Sequence, residues 1–440
     1  MLLGNLEMEK ISMKFLAVTG IVALFSASMA VLNTSETPKT KSLDYEPVPL
    51  PLPHYDFLKL DKNELIFPSG PNAYQFLWEK MDQALFEENS TFNIVHMGGS
   101  HVQAGVLSER LREHFQNITP GMDAKRGLFF PFKLAKTNGP SNLRFERIGE
   151  WDAQRCAHNK HQAIWGMCGM EVSSMSDTCG LDLFAIRSDS SRYGFHAFTL
   201  IHNVELQPDL TLLHPDQVIV DTLLRTSTYV WEEAQDSLQL RFYLDEGQSV
   251  SIYGGLLDNN EGGIAYHEIG VNGASTKSYL RCEQMPKELE LLNADLVVFG
   301  IGINDAYMSK SDFNKEEFKL RYKELAEQFR AVRPNVQFLW ITNNDSYYRR
   351  KHPNKNALVV QEAMYELAEE YNGAVYDLFE VMGGLGSILD WEKAGLAKAD
   401  KIHFSREGYV LQADMMFEAI RQAYGTHLEK KYLTNNSNQE

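Results

Sequence analysis

The sequence predicts an α/β fold with a parallel sheet that is interrupted by an inserted β-rich module. Two stretches predict the sheet, because short apolar runs alternate with helical patterns at residues 92–118 and again after residue 295. Residues 165–265 predict the insertion, since they contain short strand-like runs separated by turn residues and no convincing helix. With 440 residues, the chain is long enough for a sizeable core and for such an insertion.

The first strand, turn and helix of the predicted sheet lie close together in the chain. Residues 92–97 form an apolar run that ends in Gly98-Gly99, and a helical pattern follows in Val106, Leu107, Leu111 and Phe115. Residues 127–151 are aromatic, punctuated by Gly and Pro, and without a clear period. We expect them to form an ordered surface loop that helps to build a cleft. These segments form the first part of the α/β domain, predicted at residues 55–164.

The middle of the chain follows a different period. Its strand-like runs begin at Leu181, Val218, Leu238 and Val250, and turn residues separate them. This pattern predicts an inserted module, similar to a β-sandwich, at residues 165–265.

The alternation of strands and helices resumes in the second half. Buried-type strands are predicted at residues 296–299, 336–342 and 374–378. The helix between the first two stops before Pro334, and a last helix is predicted over residues 406–424. Alternating strands and helices imply a parallel sheet covered on both faces. We therefore predict that the α/β domain is completed by residues 266–428 and followed by a polar tail at residues 429–440.

The N-terminus predicts export from the cytoplasm. Residues 15–32 form an 18-residue, mostly apolar run that is preceded by Lys14 and ends in the small-residue pattern Ser28-Met29-Ala30. Residues 1–32 are therefore predicted to be a secretory signal peptide or, since the run just reaches spanning length, an uncleaved membrane anchor. Residues 33–54 are rich in Thr, Ser and Pro and predict an extended linker. Either alternative places the protein in the periplasm, at the cell envelope or outside the cell.

Charge and cysteine content exclude several classes of partner. The chain has 42 Lys and Arg against 59 Asp and Glu, a formal net charge of −17, which argues against nucleic acid as the main partner. A local basic run, Arg349-Arg350-Lys351, is predicted to be either a contact for an anionic polymer or a solvated loop. The four cysteines lack the spacing of a zinc site or a disulfide framework, so no metal or cofactor is predicted, and bridging stays open. The oligomeric state stays open as well.

Ser100 is the candidate nucleophile for acyl transfer. It follows the strand at residues 92–97 through Gly98-Gly99 and precedes a helix, so its hydroxyl is expected at the carboxyl edge of the sheet. Its amide would lie at a helix N-terminus, which favours developing negative charge. The alternative for Ser100 alone is a helix N-cap.

Residues suited to the other roles of acyl transfer follow later strands. Asp400 and His403 are three residues apart, so that a turn lets the carboxylate orient the imidazole as a base, although this spacing is also common on surfaces. Asn304 follows the strand at residues 296–299, and Gly273 follows another apparent strand; both are also ordinary turn residues.

The order Ser, Gly, Asn and Asp-x-x-His, in the strings GGSHVQAG, VNGAS, GIND and DKIHFSREGY, resembles the SGNH (GDSL-type) hydrolase family. The resemblance covers residues 92–118 and 270–424 and implies a flavodoxin-like, three-layer α/β/α domain. It implies that Ser100 is the nucleophile, that His403 is the base and that Asp400 orients it. It further implies that the amides of Ser100 and Gly273 and the side chain of Asn304 form the oxyanion hole.

One residue departs from the family pattern. The family has Asp directly before the serine, whereas this chain has Gly99, which is expected to loosen the turn that aims Ser100. His101 follows the serine, and because adjacent turn residues diverge, we expect it to serve packing or substrate contact and not to act as the base.

The resemblance and the predicted export together imply a serine esterase, without a cofactor, that removes acyl groups, chiefly acetyl, from a carbohydrate polymer such as peptidoglycan or exopolysaccharide. Two alternatives remain, namely an O-acetyltransferase that uses the same three residues and a non-catalytic glycan-binding protein. Four aromatic residues are candidates for stacking on sugar rings, with packing as the alternative: Trp151, Trp165, Tyr347 and Tyr348.

Overall fold

The computed structural model describes residues 50–437, except residues 88, 120, 123–124 and 187–191. The predicted signal peptide or anchor at residues 1–32, and nearly all of the predicted linker, lie outside the described residues. None of the described helices combines the length and the apolar character needed to cross a bilayer.

The described residues form the following strands: β1 Leu65–Ile66, β2 Thr91–Gly98, β3 Lys125–Phe129, β4 Leu143–Ile148, β5 Asp152–Arg155, β6 Met170–Ser174, β7 Thr178–Ala185, β8 Phe195–His202, β9 Gln217–Asp221, β10 Thr226–Gln235, β11 Ser237–Tyr243, β12 Val250–Asp258, β13 Gly263–Gly270, β14 Leu296–Gly300, β15 Gln337–Ile341, β16 Tyr347–Tyr348, β17 His352–Pro353 and β18 Ala374–Tyr376.

The helices are α1 Gln75–Phe86, α2 Ser100–Gln103, α3 Val106–Gln116, α4 Leu210–Leu213, α5 Thr276–Tyr279, α6 Met285–Glu288, α7 Ile303–Ala306, α8 Lys315–Val332, α9 Asn356–Tyr371, α10 Leu378–Val381, α11 Ile388–Lys393 and α12 Arg406–Ser437. Short 3-10 turns lie at Leu60–Lys62 and Leu289–Leu292.

The predicted α/β fold with a parallel sheet is confirmed. Strands β18, β15, β14, β2 and β13 lie side by side and run parallel, while β1 closes one edge in the antiparallel direction. Side chains along β2 alternate between two cores: Phe92 and Ile94 face one, Val95 and Met97 the other. Helices α1, α3 and α12 cover the first core, and α8 and α9 cover the second. The result is a three-layer arrangement, because both faces of a parallel sheet must be buried.

The β-rich middle of the chain extends this same sheet. Strand β3 pairs in parallel with β13 and antiparallel with β12, and β8, β10 and β9 continue the sheet outward. A second sheet, in the order β11, β7, β4, shares one hydrophobic core with these outer strands. The middle is thus similar to a sandwich, but one of its two layers is continuous with the parallel sheet. The β-rich layer is joined to the parallel sheet by the pairing of β3 with β12. These two strands are far apart in the sequence, so the hydrophobic periodicity of the chain does not predict that they pair.

The prediction of a surface loop at residues 127–151 was correct only for part of the segment, since residues 130–142 connect two strands but the rest is not a single loop. The segment contains the end of β3 and all of β4, and Phe129, Phe130, Phe132 and Leu134 are buried. The apolar stretches of this segment are short and flanked by Gly and Pro, so they show no periodicity that would predict a strand. Their aromatic side chains nevertheless lie in the core between the two sheets.

The last helix continues well beyond its expected end. Helix α12 extends to Ser437, so the tail predicted at residues 429–440 is helical over most of its length. Asp82 on α1 holds this part of the helix, because its carboxylate accepts hydrogen bonds from Lys431 at 2.6 Å and from His427 at 3.1 Å.

Candidate active site

Three glycines at the ends of neighbouring strands bring the candidate residues to one edge of the sheet. Gly98 of β2 pairs in register with Gly270 of β13 on one side and with Gly300 of β14 on the other. Ser100, Gly273 and Asn304 each follow one of these glycines within four residues. Since the strands are parallel, all three must emerge at the same carboxyl edge, where open α/β sheets place their sites.

These strand-end glycines allow helix α2 to lie directly on the sheet. A Cβ atom on Gly98 would collide with the side chain of Val102, and one on Gly270 would collide with the backbone of Gln103. Both colliding residues belong to α2, whose first residue is Ser100. The absence of side chains at positions 98 and 270 therefore fixes how close Ser100 comes to the strand ends.

The side chains of Ser100, His403 and Asp400 form a hydrogen-bonded chain. The Oγ atom of Ser100 is 2.8 Å from Nε2 of His403, and Nδ1 of His403 is 2.8 Å from Oδ2 of Asp400. The side chains of His403 and Asp400 are 31% and 26% exposed, so a substrate can approach the imidazole. In this arrangement Nδ1–H donates to the carboxylate, and Nε2 is left to accept the Ser100 proton.

The turn between Asp400 and His403 holds the carboxylate in place. Oδ1 of Asp400 accepts the amide hydrogens of Ile402 and His403, each at 2.9 Å, and Lys401 between them has φ of +59°. Burial by itself would raise the pKa of Asp400, but the hydrogen bonds from the His403 amide and ring and from the Ile402 amide outweigh it and hold the pKa below its ordinary value. Asp400 is therefore ionised at neutral pH and suited to orient the imidazole.

Gly273 and Asn304 lie side by side at the same edge. Gly273 is exposed and has φ of +79°, a left-handed conformation that favours glycine. Nδ2 of Asn304 donates to the carbonyl oxygen of Ala274 at 2.8 Å, which ties the amide group to the Gly273 turn. One Nδ2 hydrogen makes this bond, so the second is available to a developing oxyanion.

Gly99 occupies a space bounded by Asn304. A Cβ atom at position 99 would lie 3.3 Å from Nδ2 of Asn304 and 3.5 Å from the carbonyl oxygen of Ala274. The Ser100 turn is held without an aspartate, because Tyr279 donates its hydroxyl to the Gly98 carbonyl at 2.7 Å. The Gly99 carbonyl also accepts the amides of Val102 and Gln103.

Two positioning side chains were not singled out in the sequence. Gln103 accepts the amide hydrogen of Asn272 at 2.6 Å and donates to the Asn138 carbonyl at 2.8 Å, which joins α2 to the Gly273 turn. Asp305 accepts hydrogen bonds from the hydroxyl and the amide of Thr276 at 2.6 and 3.0 Å, which joins α7 to α5. Both residues stand inside the motif strings, but only the fold shows their partners.

The segment after β15 supports the Asp400–His403 turn. Asn344 donates to the Ile402 carbonyl at 2.9 Å, and the amide of Tyr347 donates to the Lys401 carbonyl at 3.0 Å. Among the four aromatic candidates for sugar stacking, Trp151 and Trp165 are buried in the core and are excluded, whereas Tyr347 and Tyr348 are half-buried. All four cysteines are buried free thiols.

Part of this chain matches a known protein family. Residues 242–411 match the GDSL-like Lipase/Acylhydrolase family. That range includes Gly273, Asn304, Asp400 and His403, while Ser100 lies before it. Comparison with curated proteins finds no match.

The structure is also similar to solved structures. One is a peptidoglycan O-acetylesterase, with a TM-score of 0.65 and 20% identity over 82% of this chain and 99% of that chain. Two others are an acetyl xylan esterase (TM-score 0.29, 20% identity, 36% of this chain and 81% of that chain) and a lipase/acylhydrolase from Enterococcus faecalis (TM-score 0.29, 21% identity, 37% and 77%). The first likeness covers most of this chain, so the two proteins share a fold over that part.

Proposed function

We propose, on the premise that this chain is an SGNH (GDSL-type) hydrolase, that it is a serine esterase that removes acyl groups, chiefly acetyl, from a carbohydrate outside the cytoplasm. The observation that carries the proposal is the hydrogen-bonded chain from Ser100 Oγ through His403 to Asp400, with both links at 2.8 Å. Nucleophile, base and orienting carboxylate in this geometry are what acyl transfer through a serine requires.

The first half of the reaction acylates the enzyme. His403 Nε2 takes the proton of Ser100 as Oγ attacks the ester carbonyl. The negative charge on the carbonyl oxygen is then held by the amides of Ser100 and Gly273 and by Nδ2 of Asn304. Collapse of this intermediate breaks the bond to the sugar oxygen, which takes the proton from His403 and leaves as a hydroxyl.

The second half releases the acid. Water enters, gives a proton to His403 and attacks the acyl-serine carbonyl. The same donors hold the second oxyanion, and Ser100 leaves after it recovers its proton from His403. No change in the net charge of the enzyme results, and Asp400 stays ionised throughout.

Two observations support an acetylated carbohydrate outside the cytoplasm as the substrate. The fold is shared over 82% of this chain with a peptidoglycan O-acetylesterase. The apolar run at residues 15–32 predicts export. Peptidoglycan and acetylated exopolysaccharide are the two polymers that we would assay first.

The proposal is tested by acetate release. Purified protein is expected to liberate acetate from 4-nitrophenyl acetate and from an acetylated polysaccharide, and a fluorophosphonate is expected to label it at Ser100. Ser100→Ala should abolish both results. A wild-type protein that neither releases acetate nor takes the label would contradict the esterase and leave glycan binding. Acetylated sugar in place of free acetate, with a sugar acceptor present, would show a transferase.

A further inference from the structure

A short hairpin next to the candidate site presents three cations to solvent. Strands β16 (Tyr347–Tyr348) and β17 (His352–Pro353) pair antiparallel, and the connection between them is Arg349-Arg350-Lys351. All three residues are exposed. Arg349 and Arg350 have φ of +54° and +59°, so two consecutive non-glycine residues adopt the left-handed conformation at the tip. The tip is thus a tight turn that projects its charged side chains outward.

The hairpin is tied to both halves of the candidate site. The amide of Tyr347 donates to the Lys401 carbonyl, inside the Asp400–His403 turn, at 3.0 Å. On the other side, the amide of Arg349 donates to the hydroxyl of Tyr307 at 2.9 Å. Tyr307 directly follows α7, which carries Asn304. The hairpin therefore bridges the base turn and the oxyanion helix, and its tip stands at the rim of the site.

The cations of this region have no acidic partners among the described residues. No carboxylate of that part of the chain lies within 4 Å of a basic group on the tip or of the neighbouring Lys398 and Lys401. The lysines of α8, in contrast, do have acidic partners: Lys315, Lys319 and Lys323 each form an ion pair with a glutamate of α9. Arg349 and Lys401 lie over the rings of Tyr348 and Tyr347, which are contacts that leave their charge uncompensated. In a chain with a net charge of −17, cations without carboxylate partners at one rim attract anions locally.

From these observations we infer that the tip of the hairpin, Arg349-Arg350-Lys351, binds carboxylate groups of the substrate polymer and thereby selects anionic acetylated glycans. This inference rests on the proposed esterase function and names the substrate class for it. Arginine side chains suit the role because their planar guanidinium groups match a carboxylate in two parallel hydrogen bonds. The carboxylates come either from uronic acid residues or from peptide substituents of a glycan.

The experiment compares the loss of three positive charges at the hairpin tip with the loss of three positive charges elsewhere on the surface. The test variant combines Arg349→Asn, Arg350→Asn and Lys351→Gln, since Asn tolerates the left-handed conformation better than most residues. The control variant removes the same charge elsewhere through Lys133→Gln, Arg144→Gln and Lys287→Gln, three exposed residues outside the hairpin. Acetate release is measured on acetylated peptidoglycan, acetylated pectin, neutral acetylated glucomannan and 4-nitrophenyl acetate.

We expect the wild type to favour one or both anionic polymers over glucomannan, and high salt to reduce that preference. The test variant should raise KM for the favoured anionic polymer about tenfold with little change in kcat, while 4-nitrophenyl acetate is hydrolysed as by the wild type. Peptidoglycan or pectin, whichever responds, identifies the source of the carboxylate. An unchanged KM in the test variant, an equal rise in the control variant, or a wild type without preference would overturn the inference. Each of these outcomes leaves acetate release intact, so failure of the esterase function itself remains distinguishable.

Discussion

The imidazole of His101 stacks on that of His403, with the ring centroids 5.2 Å apart and the planes 25° from parallel. His101 is buried, and its Nδ1 atom lies 3.0 Å from the hydroxyl of Tyr409. Burial, with a smaller contribution from the nearby His403, lowers the pKa of His101 to about 3. His101 is therefore a neutral ring that supports the candidate base, which fits a packing role and excludes it as a second cation in the site.

Removal of this support should slow the reaction without weakening binding of a small ester. His101→Ala leaves His403 free to rotate away from Ser100, so we expect kcat to fall about tenfold while KM for 4-nitrophenyl acetate stays within twofold. His101→Phe keeps an aromatic face and should retain most of the wild-type kcat. Steady-state kinetics of both variants check this, and equal losses in the two variants would show that stacking is not the important contact.

Asn304 should matter much more for the rate than for folding. Asn304→Ala removes one donor to the oxyanion, so kcat is expected to fall 10²- to 10³-fold, or about 3 kcal/mol in the barrier. Asn314→Ala is the matched control, because Asn314 caps α8 by accepting the Glu317 amide. That variant should lose about 1 kcal/mol of unfolding free energy with unchanged kcat. Kinetics and urea unfolding of both variants separate the two roles, and the proposal fails if Asn304→Ala retains more than a tenth of the wild-type kcat.

The parallel half of the fold could be predicted because its signals are local. Each strand of that half is a short apolar run, and each long helix has one apolar face, so type and order follow from periodicity. Strand β3 and helix α2 were beyond such reasoning. Strand β3 pairs with β12 and β13, which lie more than a hundred residues later in the chain. Helix α2 is a single turn that packs closely on Gly98 and Gly270.

The residues of the candidate site could be named for a different reason. Ser100, Asp400 and His403 were identified from the order of short motifs, and the structure brings them within hydrogen-bond distance. Gln103 and Asp305 were not identified, because their roles lie in contacts with the backbone of Asn272 and with Thr276. Such contacts join separate segments of the chain, and one sequence contains no signal for them.

An aspartate before the serine, as in the family that the motifs resemble, should not increase the proposed esterase activity. The side chain of Gly99→Asp begins 3.3 Å from Nδ2 of Asn304, a tight contact, and it competes with the Ala274 carbonyl for the same amide group. We expect kcat to fall about fivefold, and Gly99→Ala to fall less, because alanine crowds Asn304 without accepting a hydrogen bond from it. Kinetics on 4-nitrophenyl acetate test this, and a rate above that of the wild type in Gly99→Asp would show that the turn lacks the order that we assign to it.

Asp345 should make the stability of the protein depend on pH. Burial raises its pKa from 3.8 to about 6, although Oδ2 accepts the amides of Gly386 and Ile388 at 3.0 and 3.1 Å. Because the folded pKa exceeds the unfolded one, the contribution of Asp345 to stability is fully present below pH 3.8 and is lost as the pH rises through about 6. Asp345→Asn removes this titration, so the unfolding free energy of the variant relative to the wild type should rise by about 2 to 3 kcal/mol between pH 4 and pH 7.5. Urea unfolding at both pH values measures the difference, with Asp61→Asn, at an exposed position, as the control for the loss of one acidic side chain. A constant difference between the variant and the wild type would mean that Asp345 does not titrate in this range.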